Sequence, residues 1–455
     1  MNRRKFFQLT AGLSVAGRSA MFPAAIARGA DLPDVFEADP QRKKAAKKKI
    51  TEARQVALDV LKPSRKELEH GLELHAQSLV IESYGFSPRS AVDGSALANA
   101  YEAGASEVEL NDLKEEMSMT RCVYDPGERT EYMTAWDAAG VTCILQNAGE
   151  EGNAIDRLIK RLARFTYVTD MLRDFVCKAA TPDDIVEACR QKRHCLYYSG
   201  NGTPLPQRWM SVQDELRYIR VFYQLGCRMA HLTYNRRNPI GEGCGESANA
   251  GLSDFGKAVV KEMNRVGMLV DVAHTGWQSC LDAVKASDKP VVASHSGCWS
   301  LNEHYRCKTD EVIRALADTD GYIGICCIPK FLGGNGDINA MLDHIDYVAK
   351  KFGVERLAIG TDVAYSSTAT AEESRKIPKQ RKLRDRWEHL WPAPDPSSVP
   401  KGPQDRARQS TAWTNWPMFT VGLVKRQYSD SDIQKILGGN ALRVLRAVFP
   451  CKQAQ

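Results

Sequence analysis

Apolar residues along this chain come in short runs, and the runs alternate with stretches in which apolar positions recur every three to four residues. The first pattern belongs to strands buried on both faces, the second to amphipathic helices that cover them. Eight runs can be read: Ser78–Ser83, Val141–Gln146, His194–Ser199, Cys227–Tyr234, Gly267–His274, Pro290–His295, Gly321–Pro329 and Arg356–Asp362. Helix signals lie between them. Ser253 precedes Val259, Val260 and Met263, and Thr309 precedes Val312, Ile313 and Leu316, each where an N-cap belongs; Gly267 and Gly321 stand where those helices should stop. Met341, Ile345, Val348 and Phe352 mark the apolar face of a further helix. Eight strand-then-helix units over residues 76–365 predict an α/β fold, a (β/α)8 TIM barrel with extra helices before the second and third strands. A doubly wound sheet is the alternative, but no glycine-rich phosphate turn follows the first run.

The flanks differ in character. Residues 1–30 carry Arg3-Arg4 ahead of Phe6-Phe7, a mildly apolar stretch from Leu9 to Gly17, and Ala25-Ile26-Ala27. This is a twin-arginine-like signal peptide and predicts an exported, periplasmic protein. Residues 31–75 form a basic segment in which Ile50, Val56, Ala57, Val60 and Leu61 suit a helix lying on a larger body. Residues 366–425 are basic and rich in proline and tryptophan (Trp387, Trp391, Trp413, Trp416), an excursion that can cover the barrel mouth or a neighbouring subunit. Residues 426–455 read as C-terminal helices packing on the barrel.

Composition narrows the function classes. The net charge of +6 is modest and no basic stripe carries interleaved aromatics, which argues against nucleic acid as a partner. The 13 cysteines are scattered without a CxxC pair, as expected of buried thiols. No later segment has the run of apolar residues that a membrane span needs.

In a barrel of this kind, chemistry sits at the C-terminal strand ends. Those ends offer Glu82, Tyr84, Gln146, Asn147, Ser199, Asn201, Tyr234, Asn235, His274, His295, Cys327 and Asp362. His274 and His295 each close a run and lie one βα repeat apart, so their imidazoles should meet at the mouth. Neutral imidazoles suit a divalent metal, and Asp362 can ligate it or accept a proton from its water. Arg306 has the planar fork that pairs with a carboxylate, although by itself it reads as a surface ion pair. His75 precedes the first run, at the wrong end of the barrel, and His344-Ile-Asp346 reads as the surface of a helix.

His231-Leu-Thr-Tyr-Asn235, Gly251-Leu-Ser-Asp-Phe-Gly256, Glu262-Met-Asn-Arg-Val-Gly267, Asp271-Val-Ala-His274, Ala293-Ser-His-Ser296, Arg306-Cys-Lys-Thr-Asp310 and Gly360-Thr361-Asp362 occur in that order. Together they resemble the membrane dipeptidase (renal dipeptidase, M19) family of metallopeptidases. The resemblance implies an amidohydrolase-like (β/α)8 barrel, often a homodimer, with a two-zinc site that hydrolyses dipeptides. It further implies that His274 and His295 are zinc ligands, Asp362 the catalytic acid and base, and Arg306 the clamp on the substrate carboxylate.

The departures are as specific as the matches. Tyr84 and Phe86 stand where the family's first strand has a His-x-Asp metal pair. Leu196–Gly202 offers no bridging glutamate, and Tyr234 replaces the histidine of Leu-Thr-His-Asn. Glu82, Glu150 and Glu151 are the nearby carboxylates. The ligand count then allows one divalent metal per chain, zinc, or none, held by His274 and His295 with Asp362 as a third candidate. The expected function is metal-assisted hydrolysis of a small amide, foremost a dipeptide, with Asp362 as base, Tyr234 as oxyanion donor, and Arg306, Tyr234 and Asn235 at the substrate. The alternatives are a ligand-binding protein on a degenerate barrel, and a one-metal hydrolase of another substrate class.

Overall fold

The computed structural model of the chain describes residues 38–149, 155–378 and 404–450, and a parallel barrel lies at its centre. Its strands are β1 (Ile81–Gly85), β2 (Cys143–Asn147), β3 (Val176–Lys178), β4 (His194–Gly200), β5 (Met229–His231), β6 (Leu269–Asp271), β7 (Val291–Ser296), β8 (Ile323–Ile325) and β9 (Leu357–Ile359). Hydrogen bonding follows the path β1-β2-β4-β5-β6-β7-β8-β9, with β3 added beside β4. Closure comes just past the strands. Asp362 donates its N–H to the Tyr84 carbonyl at 3.4 Å, and Arg89 and Ser366 form a parallel bridge beyond it. The barrel is nearly closed, with eight strands in the ring, as the runs predict.

Two runs give shorter strands than their lengths suggest. β5 ends at His231 and β6 at Asp271, so Tyr234 and His274 lie in the loops beyond. At β6 the cause is local: Asp271 Oδ1 accepts the N–H of Ala273 at 3.0 Å, and Thr275 N–H turns back to the Val272 carbonyl. β3 has no counterpart among the runs, since three residues with one fully buried side chain make no readable pattern.

Two shells of core result. Ile81, Leu145, Met229, Leu269, Val292 and Ala358 belong to one cluster with Ala441, Val444, Leu445 and Val448 of the C-terminal helix. Val80, Ile144, Leu196, Val270, Ile323 and Ile359 pack outward against the helices. Two of those helices begin on the expected residues, Ser253 accepting the Gly256 N–H and Thr309 the Val312 N–H. Gly267 closes the first with φ +86°, while the second ends at Asp318, three residues before Gly321, whose N–H turns back to the Leu316 carbonyl. Helix α1 (Pro40–Leu61), capped by Asp39, buries Ala46, Ile50, Ala53, Ala57 and Leu61 at helical spacing. Gly360 is required where it stands, because a Cβ there would lie 2.1 Å from the Ser294 carbonyl.

His344 corrects the surface reading of its motif. Its ring is buried, receiving the Cys298 N–H at Nδ1 and lying 3.0 Å from the Leu332 carbonyl at Nε2, while Asp346 pairs with Arg426 and Tyr428. Trp413 and Trp416 are also buried, in the shell outside the strands, whereas Trp387 and Trp391 lie outside the described residues. The signal-peptide segment and Glu150-Glu151 lie outside them as well. No disulfide and no helix long and apolar enough to cross a membrane occurs among the described residues.

Candidate active site

The site is assembled on β5, β6 and β7. His231 and Asp271 are direct partners in the β5–β6 register, and both are fully buried. Asp271 Oδ1 also accepts the Ser294 N–H at 3.0 Å, which ties β6 to β7. A register shift in β7 between Ala293 and Ser296 brings His295 to the interior. The two strand-end histidines meet as expected, with their Nε2 atoms 2.9 Å apart.

Each histidine is held from behind. His274 donates Nδ1–H to Asn235 Oδ1 at 2.7 Å, which assigns the tautomer and leaves a lone pair on Nε2. Asn235, expected at the substrate, therefore has its side-chain oxygen committed to His274. The His274 lone pair faces Arg306 Nη2 at 3.2 Å. Arg306 is not on the surface. Only 1% of it is exposed, and its guanidinium donates to the carbonyls of Ala273 and His295, while Nε finds no partner among the described residues. Burial, reinforced by the Arg306 charge, holds both imidazoles well below the ordinary histidine range, so both are neutral at pH 7.

Two tyrosines complete the walls. Tyr234 stacks on His274 with ring centroids 4.0 Å apart, and Tyr84 stacks on His295 at 3.9 Å. Tyr84 Oη donates to Asn201 Oδ1 at 2.6 Å. The space of the first-strand metal pair is thus filled by a ring that is hydrogen-bonded to the segment lacking the bridging carboxylate.

Asp362 follows β9 in the left-handed region, φ +58°, which is strained for a residue with a side chain. Burial pushes its carboxyl up to about 6, against the opposing charges of Arg306, His231 and Arg89. Glu82 does not join it at the mouth. It is fully buried in the outer shell, where it accepts hydrogen bonds from Thr361 Oγ1 and, at 2.7 Å, from Trp413 Nε1. His75 is likewise remote, held by Thr420 and the Ala139 carbonyl. Cys327 points into the helical shell against Met341.

Sequence reading missed His231 and Asp271 as site residues. Each precedes a named candidate, Tyr234 or His274, by three residues, and both fall in runs read as plain core. Two polar residues at matching offsets in consecutive apolar runs were the available signal.

A parallel barrel whose C-terminal strand ends gather histidines, an aspartate and a buried arginine defines a metal-dependent hydrolase of the amidohydrolase type. Residues 72–383 match the membrane dipeptidase family, peptidase family M19, and the chain belongs to that family. It is accordingly a hydrolase of the metallopeptidase class. Similar solved structures include an amidohydrolase from Pseudomonas aeruginosa, 24% identical over 83% of this chain and 99% of that one, with a TM-score of 0.59. The probable dipeptidase PvdM from Pseudomonas aeruginosa is 17% identical over 85% of this chain and 99% of its own, with a TM-score of 0.60. A metallo peptidase from Rhodobacter sphaeroides, liganded with a phosphinate mimic of the dipeptide L-Ala-D-Ala, is 16% identical over 82% of this chain and all 100% of its own, at a TM-score of 0.52.

The family implies a divalent metal. Tyr84 and Asn201, hydrogen-bonded to each other, bring neither an imidazole nor a carboxylate to it. Three side chains among the described residues, His231, Asp271 and His295, offer donor atoms that all lie within 4.8 Å of one another. Three protein ligands with an open position are what a catalytic zinc needs.

Proposed function

We propose that this chain hydrolyses a small amide bearing a free carboxylate, most simply a dipeptide. The observation that carries this reading is Arg306: a guanidinium buried at the mouth of a dipeptidase-family barrel with, among the described residues, no carboxylate hydrogen-bonded to it and no partner for Nε. Asp362 acts on this guanidinium only through space, so its hydrogen-bonding edge can still take a substrate carboxylate through charge-assisted bonds. Asp362, close enough for the Arg306 charge to act on it, would take a proton from the attacking water and return it to the leaving amine. Tyr234, half-buried over His274, would donate its hydroxyl to the developing oxyanion. His274 and Asn235 would hold that wall in place. A single divalent ion with His295 among its ligands, zinc by the nature of the donors, would supply Lewis acidity and lower the pKa of water.

The test is a panel of dipeptides and their C-terminal amides, assayed with the purified chain and added divalent metal. Free dipeptides are cleaved and their amides are poor substrates. Arg306→Met lowers kcat/KM for the free dipeptide by about 10–100-fold, the size of a lost charged hydrogen-bond pair, and leaves the amide nearly unaffected. A chain inert to the whole panel would favour the ligand-binding reading, for which the filled first-strand position speaks. Equal losses on both substrates would take the clamp away from Arg306.

A further inference from the structure

We infer that the chain holds its divalent ion deeper in the barrel than the strand-end histidine pair, between His231, Asp271 and His295. This rests on the one-ion reading above and changes where the ion sits. His231 and Asp271 face each other across β5 and β6, each fully buried, three residues before the loop positions of Tyr234 and His274. Asp271 is already oriented: Oδ1 accepts two backbone N–H groups, from Ala273 and Ser294, and Oδ2 is left over. Oδ2 lies 2.7 Å from His231 Nε2, an ion-pair contact between two fully buried side chains. Beyond that contact, neither ring nitrogen of His231 nor Asp271 Oδ2 has a hydrogen-bond partner among the described residues. Buried polar atoms are nearly always partnered, so a buried imidazole nitrogen and a carboxylate oxygen that have only each other call for a further ligand between them. The His295 ring completes the set within 4.8 Å, so a ring shift on the order of 1 Å would bring the three donors to the roughly 3.3 Å spacing of a tetrahedral site with bonds of about 2 Å.

His274 is the poorer donor. Its Nδ1 is committed to Asn235, and its Nε2 faces a guanidinium at 3.2 Å, a fixed cation where a metal would have to approach. On the other side of His295 the Tyr84 ring blocks approach from β1. The inner site thus offers two imidazoles and a carboxylate, and among the described residues Arg306 is hydrogen-bonded to the His295 carbonyl but not to any of these donor groups.

The experiment uses the full chain, stripped with a chelator and titrated with Co2+, followed by bound metal after desalting and by the visible d–d bands. Wild type takes up one Co2+ per chain. His231→Gln and Asp271→Asn each weaken binding by about 100-fold or more, since two protein ligands do not make a stable site. His274→Gln keeps a full equivalent and the same bands. Loss of Co2+ from His274→Gln, or no stoichiometric uptake by wild type, overturns the inference. Those two arms decide it even where circular dichroism shows that His231→Gln or Asp271→Asn has not folded. Dipeptide cleavage by a chain without bound metal would overturn this placement and spare the hydrolase reading. Stoichiometric Co2+ without cleavage of any dipeptide would do the reverse.

Discussion

Asp362→Asn lowers dipeptide turnover by about 10²–10⁴-fold, the usual share of a general acid–base group, while metal uptake is kept. Asparagine preserves the size of the side chain and suits the left-handed backbone at φ +58° better than most residues, so the fold should not suffer. What it loses is the ability to accept a proton. The same residue sets the acid side of the pH profile. Burial raises its carboxyl to about 6, so wild-type kcat/KM falls as pH drops below about 6, where the base becomes protonated. Steady-state rates between pH 4.5 and 8 on both proteins check this. A variant with unchanged turnover removes Asp362 from the chemistry. Residual activity that retains the same acid limb assigns the limb to another group.

Glu82→Gln stabilises the protein at neutral pH, by on the order of 3 kcal/mol at pH 7. Burial pushes the Glu82 carboxyl up to about 8, against the hydrogen bonds from Thr361 and Trp413. Between about 4.5 and 8 the native state keeps this proton and the unfolded chain does not. The unfolded state binds fewer protons, so stability is full below about 4.5 and declines as pH rises through 8. Glutamine does not titrate. Its Oε1 can accept from Trp413 Nε1 and its Nε2 can donate to Thr361 Oγ1, whose hydroxyl has the Val363 carbonyl at 3.5 Å as an alternative acceptor. Urea unfolding at pH 5, 7 and 8.5 should show the two proteins diverging as pH rises. Parallel curves would mean that Glu82 is ionised in the native state.

Both predictions depend on which way β1 and β9 turn their side chains, and that was not legible in the sequence. Glu82 and Tyr84 differ by two, so a regular strand would point them to one face. A register irregularity between Glu82 and Gly85 separates them: Tyr84 stacks on His295 inside the barrel, and Glu82 reaches Trp413 outside it. A carboxylate that sequence proximity offers as a substitute ligand is thereby withdrawn from the mouth.

The sequence by itself determined the order of the eight strands of the ring, the residues that begin Asp254–Val266 and Asp310–Asp318, and the meeting of His274 with His295. Apolar periodicity and capping are local chemistry, and parallel order follows once strands alternate with helices. The tertiary structure decided the rest: that Arg306 is buried against His274, that His231 and Asp271 face each other, that Tyr84 fills the first-strand position, and that His344 is interior. Each of these depends on register or on a bulge. Register is set by pairing between segments distant in the chain, and shifting it by one residue exchanges the inner face for the outer.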